Sequence, residues 1–224
     1  DQFDNSVIVH EYGHFLEDVY GNSDSPGGSH NGNSTVDPRL AWSEGWANFF
    51  QAAVNGDPHY IDTLGNASCS SPTTFDYFNQ DLETPNAPPE DFDIPTRNGE
   101  GTYREFSVTR ALWDVIDPFM GQGGTDSGAE VSTAPFSELW TAFSGATTGF
   151  KNTTHHFRNA GLFFKVHKNL QGSPTNIADV ITQNKQAEST EYYATGLTAC
   201  GTSDINIDEG DPALNEEFFV DRKS

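Results

Sequence analysis

Five consecutive residues, His10-Glu11-Tyr12-Gly13-His14, hold the types and spacing that metal chemistry needs. On a helix, two histidines at i and i+4 project from one face about a turn apart, which suits two neighbouring positions of a tetrahedral zinc. The glutamate between them lies beside that face, within reach of a water at the metal's open position. Two histidines need a third ligand, and Glu44 is the candidate. It stands among Trp42, Trp46, Phe49 and Phe50, where a carboxylate is costly to bury unless it is paired or bound to metal.

The elements that must position these groups can be read from periodicity. Ile8, Tyr12, Phe15, Leu16 and Val19 recur at helical spacing, predicting a helix over 5–20 with Asp4 or Ser6 as cap and Gly21 as stop. A stretch rich in Gly, Ser and Asn over 21–36 is long for a connection inside a compact domain, a length associated with function or mobility. Asp37-Pro38 then gives a cap followed by proline at the first helical position, predicting a second helix over 38–54 with Gly56 past its end. That loop allows the second helix to fold back and bring Glu44 to the histidines. Between 57 and 101 six prolines break any period, predicting irregular chain with one short helix near Tyr77. Thr102-x-x-Glu105 reads as a capping box for a third helix carrying Phe106, Leu112, Trp113 and Ile116 and ended by Pro118. Further helices are predicted over 135–143, 154–170 and 176–184. Strand signals are weak and there are no internal repeats, so the fold class is mainly α with long loops.

Composition bounds the partners. Eleven Lys plus Arg against 33 Asp plus Glu leave a formal charge of −22, which repels phosphate backbones and anionic membrane surfaces. No apolar run approaches the length of a transmembrane helix, and no signal peptide is visible before Asp1-Gln2-Phe3-Asp4, as in a mature or trimmed start. With 17 Phe and 4 Trp the chain has the material for an aromatic core despite a hydrophobic fraction of 34%. Cys69 and Cys200, the two cysteines, sit in polar surroundings and read as one disulfide of a secreted protein. Sequons at Asn33, Asn66 and Asn152 agree with secretion if the source is eukaryotic. Residues 204–210 resemble a calcium loop only superficially: the glycine falls one place late and no Glu stands at the twelfth position, which leaves Ca2+ unsupported and favours a solvated acidic linker.

His-Glu-Tyr-Gly-His with a downstream Glu ligand resembles the gluzincin clan of zinc metallopeptidases, which includes the thermolysin and fungalysin families. Glu-Gly-Trp-x-x-Phe, Glu44 to Phe49, is especially similar to fungalysin. The resemblance covers residues 4–55 in motif terms and, more loosely, 107–117. It implies a zincin-like catalytic domain of which this chain holds the C-terminal helical part, one Zn2+ held by His10, His14 and Glu44, and Glu11 as catalytic carboxylate. The clan usually places Asp four residues after the ligand Glu to orient a histidine; here that position is Asn48, which can accept a hydrogen bond but brings no charge. The clan also has an upstream lobe, whereas only nine residues precede His10, so the resemblance implies a longer chain or a partner chain. The expected organisation is a metallopeptidase region over 1–203 and an acidic linker or start of a further domain over 204–224.

The chemistry so implied is hydrolysis of peptide bonds in a peptide or protein substrate, with Glu11 as general base toward a zinc-activated water. A donor to the developing oxyanion is also needed. Near the third helix, where related enzymes place a histidine, Tyr103 and Arg110 are the chemically suitable groups, and one of His155-His156 is a further candidate. His30, His59 and His167 read as loop or surface residues without a role. Two alternatives stand beside the peptidase: an inactive metal-binding domain with a structural or adhesive role, and a zinc hydrolase of another amide bond. The acidic surface predicts a preference for cationic peptides.

Overall fold

A computed structural model of the chain describes residues 4–30, 32, 35–65, 76–83, 101–120, 134–145, 150–152, 158–171, 177, 180, 181, 184 and 186. Residues 1–188 form one compact unit; the second, 189–224, lies outside the described residues together with the proposed linker and calcium-like segment. Cys69, Cys200, His155 and His156 also lie outside them.

Helix α1 spans Asn5–Leu16, with the Asp4 side chain accepting from Ser6 N at its start. It does not continue as an α-helix to residue 20. A π-helical turn, Glu17–Gly21, follows and ends at Asn22 in the left-handed region (φ 60°). Helix α2 spans Pro38–Asn55, capped by Asp37. Strands β1 (His59–Gly65) and β2 (Asp76–Asp81) pair antiparallel, with Tyr60 opposite Gln80 and Asp62 opposite Phe78. This corrects the irregular reading of 57–101 at 59–65 and 76–81, where the expected helix near Tyr77 is a strand; 66–75 and 84–100 lie outside the described residues. The aromatic and β-branched residues Tyr60, Ile61 and Thr63 suit a pleated ribbon once a partner is present. Helices α3 (Glu105–Met120), α4 (Phe136–Ser144) and α5 (Ala160–Gln171) complete the described elements, with a 3-10 turn at Phe150–Asn152. Helix α3 runs through Pro118 rather than stopping there, although proline gives up one helical hydrogen bond.

The core is built around α2, which is buried from Pro38 to Ala52 on nearly every side. Trp46 stacks on Phe143 of α4 at 3.9 Å between centroids, and Trp42 meets Phe150 at 5.0 Å and Phe163 of α5 at 4.9 Å. Trp113, Leu112 and Ile116 of α3 are fully buried. Two glycines set the distance of α2 from its neighbours. A Cβ on Gly13 would stand 3.0 Å from Ala47 Cα, and one on Gly45 2.7 Å from the Val108 side chain and 2.9 Å from Glu105 O. These contacts hold α1 on one side of α2 and the start of α3 on the other.

The face that α1 turns to the core shares only Leu16 with its apolar stripe. His10, Gly13 and Leu16 are buried, while Ile8, Tyr12, Phe15 and Val19 are 40–55% exposed. The close approach at Gly13 selects the histidine face for packing, against the hydrophobic periodicity.

Candidate metal centre

Burying the histidine face of α1 against α2 brings three donor atoms together. His10 Nε2, His14 Nε2 and Glu44 Oε2 form a triangle with sides of 3.1, 3.2 and 3.3 Å. Donors about 2.0–2.1 Å from a tetrahedral zinc stand about 3.3 Å from each other, so this triangle is close to one face of a zinc coordination tetrahedron. Among the described residues, no other group of three or more His, Cys, Asp or Glu donors converges in this way.

The hydrogen bonds behind the histidines fix which nitrogen faces inward. His10 Nδ1 lies 2.7 Å from Asn48 Oδ1, and Asn48 Nδ2 donates to Glu105 Oε1 at 2.7 Å. Because the amide nitrogen is committed to Glu105, its oxygen must accept, and His10 carries its proton on Nδ1. On the other ring, Ser43 Oγ donates to Glu17 Oε2 at 2.6 Å and lies 3.2 Å from His14 Nδ1. The hydroxyl proton is used on Glu17, so the serine oxygen accepts from His14 Nδ1–H. Both rings thereby turn an Nε2 lone pair toward the other and toward a carboxylate oxygen. Three electron-rich atoms at that separation repel one another unless a cation lies among them.

Each histidine is thus backed by a neutral group with a carboxylate one step further out, Asn48–Glu105 for His10 and Ser43–Glu17 for His14. Asn48 does not leave His10 without a charged support, because Glu105 supplies one through the amide. Glu105 is the first residue of α3 rather than a capping-box partner of Thr102. Its carboxylate is spent on Asn48 and on His30 Nδ1, at 2.9 Å. Glu17 enters through the π-helical turn, a distortion often found at functional sites.

The electrostatics follow from burial and from these partners. Burial works against the Glu44 charge, but in the metal-free protein a proton taken up on His14 Nε2 stands where the cation would, and hydrogen bonding to the two histidines, with the charge of His14 and His30, holds the Glu44 pKa well below the ordinary carboxylate range. Burial pushes Glu17 up to about 7, opposed by Ser43 and His14. Burial also disfavours a charged His14, but Glu44, Glu17 and Glu11 outweigh it and raise the pKa. His30 is raised mainly by its bond to Glu105.

An open cleft of about 470 Å³ lies over the triangle, lined by Val7, His10, Glu11, His14, His30, Ser43, Glu44, Tyr60 and Asp62. Glu11 is exposed to it from α1. Tyr60 and Asp62 reach it from β1, two residues apart and therefore on one face of the strand. The Tyr60 ring packs edge-on to His10 at 6.0 Å, and burial together with the charges of Asp62, Glu105 and Glu44 raises the phenol's pKa, keeping it protonated.

Tyr103 and Arg110 are not among the residues lining this cleft. Tyr103 is 4% and Arg110 1% exposed, and both are taken into the packing around α3. His59 is half exposed beside Asp57, to which its Nδ1 is 2.7 Å. His167 is fully buried on α5 against Phe163, not a surface residue. His30 lines the cleft and contacts Glu44, contrary to the reading that gave it no role. The unusual length of its glycine-rich loop was the signal available for it; Tyr60 and Asp62 had none once the strand was missed.

The family model described as the Mycolysin C-terminal domain matches residues 1–206. No curated protein and no solved structure matches the chain. No described helix is long and apolar enough to cross a membrane.

Proposed function

The chain belongs to the mycolysin C-terminal domain family, and on that footing we propose that it is the metal-holding part of a secreted zinc metalloendopeptidase of the thermolysin-like kind. The observation that carries this is the triangle of His10 Nε2, His14 Nε2 and Glu44 Oε2, with edges of 3.1–3.3 Å, at the floor of an open cleft. The donor set, two neutral imidazoles and one carboxylate, is that of many catalytic zinc sites, and both histidines have the outer support such ligands need.

When bound, zinc supplies a Lewis acid that lowers the pKa of water to about 7 and polarises a carbonyl. The remaining work belongs to the side chains. Glu11, exposed on the cleft between the two histidines, accepts the proton of the attacking water and returns it to the leaving amine. The Tyr60 phenol, a neutral donor on the cleft wall, takes the place that sequence assigned to Tyr103 or Arg110 and serves the substrate carbonyl as negative charge develops there. Asp62 and Glu11 make the cleft acidic, and with a net charge of −22 they favour peptides carrying Lys or Arg near the scissile bond.

An inactive metal-binding domain draws its support from Asn48, as a ligand support without charge. The Glu105 carboxylate behind that amide weakens this alternative. Replacing Glu11 by Gln separates the two. A peptidase variant keeps its zinc and loses about 10²–10⁴-fold in turnover. Unchanged hydrolysis by the variant, or none by the zinc-loaded parent at high concentration on cationic peptides, overturns the proposal.

A further inference from the structure

The carboxylate of Glu44 is approached at both oxygens by different partners, at one by the two ligand histidines and at the other by an ion-pair contact with His30. Oε2 faces the two histidine Nε2 atoms, at 3.3 and 3.2 Å. Oε1 faces His30 Nε2 at 3.3 Å. The opposite nitrogen of the same ring, His30 Nδ1, lies 2.9 Å from Glu105 Oε2. Glu105 Oε1 in turn accepts from Asn48, which accepts from His10. The contacts close a ring from His10 through Asn48, Glu105 and His30 to Glu44 and back to His10.

We propose that His30, braced by Glu105, is a positioning residue that occupies the outer oxygen of Glu44 and so holds this ligand to a single oxygen on the metal. This rests on the zinc peptidase proposed above. A carboxylate can bind a metal through one oxygen or through both, and a catalytic site needs a coordination position left for water or substrate. Engaging Oε1 from outside removes the second mode and keeps that position open. His30 is suited to the task because its loop is fastened on its C-terminal side to the start of α3. Phe106 N donates to Gly32 O and Val36 N to Tyr103 O, each at 3.0 Å. On its N-terminal side Asp24 accepts from Arg158 N at 3.1 Å. The loop that carries the ring to Glu44 is thus tethered on both sides of His30.

The test compares the parent with His30→Ala and His30→Gln, each loaded with one equivalent of zinc. Zinc-edge X-ray absorption reads the ligand shell, and competition with a chelating dye reads the affinity. Circular dichroism checks that the helices are intact. His30→Ala should show a longer mean metal–oxygen distance and one more oxygen around zinc. Its zinc affinity should be lower by about 10–100-fold, and its kcat lowered more than its KM. His30→Gln, which can still present an amide N–H to Glu44, should lie between the two. A zinc shell and affinity identical in parent and His30→Ala overturn this inference alone, whatever happens to turnover. A parent that takes up no zinc overturns it together with the peptidase proposal.

Discussion

Glu105 Oε1 lies 2.7 Å from Asn48 Nδ2, and Asn48 Oδ1 lies 2.7 Å from His10 Nδ1. The amide therefore conducts the influence of a buried carboxylate to a zinc-ligand candidate while keeping the two apart. Where the clan pattern has Asp, the carboxylate itself orients the histidine. Moving the charge out by one residue lets Glu105 serve His30 as well.

Asn48→Asp would match the clan pattern, yet here it would set two carboxylates about 2.7 Å apart in a buried site, where they cannot both ionise. The single variant should lose about 1–3 kcal/mol of stability, and Asn48→Asp combined with Glu105→Gln should recover much of it. Chemical denaturation of the four proteins in the cycle measures the coupling. A stabilised Asn48→Asp would refute the relay.

Glu17 makes the metal-free protein sensitive to pH in an unusual direction. Its carboxyl is raised by burial from 4.5 to about 7, so the folded state holds a proton that the unfolded chain has released. That contribution is fully present below about pH 4.5 and is lost as the pH rises through 7, at about 1.4 kcal/mol per pH unit in between. Denaturation midpoints of the metal-free protein across this range, for parent and Glu17→Gln, should converge at acid pH and separate in favour of the variant at neutral pH. Parallel curves would show that Glu17 is ionised at no such cost.

His167 acts with the opposite sign. Its ring is fully buried, both nitrogens lack a hydrogen-bond partner, and burial lowers its pKa from 6.5 to about 4. The neutral ring contributes stability above about pH 6.5 that is lost as the pH falls through 4. His167→Phe keeps the packing on Phe163 and should remove this acid sensitivity, gaining about 1–2 kcal/mol near pH 5. The same dependence in parent and variant would count against it. Because the Glu17 and His167 trends oppose each other between pH 4.5 and 6.5, only the single variants separate them.

Much of the scaffold was legible because local chemistry and tertiary structure agree there. Asp37-Pro38 starts α2, Asp4 caps α1, and the Trp and Phe residues of α2 do form the core. The histidine pair and Glu44 also meet, since helical spacing fixes two of the three directions. Legibility ended where tertiary contacts override local pattern. The apolar stripe of α1 predicts the wrong buried face, because Gly13 lets α2 approach on the polar side. Glu105 fits a capping box by spacing, but its carboxylate has stronger partners 57 and 75 residues away. The β1–β2 ribbon depends on pairing across 66–75, for which neither segment carries a strong signal of its own. Tyr60, Asp62 and His30 reach the cleft only through such long-range placement, which local pattern around Tyr103 and Arg110 does not encode.

The most direct measurement is a calorimetric zinc titration of the metal-free chain beside Glu44→Gln. The parent should show one tight site per chain and the variant an affinity at least about 100-fold weaker, because Glu44 Oε2 completes the triangle with His10 and His14. Equal affinities in the two proteins, or a parent that binds no zinc, would contradict the metal centre.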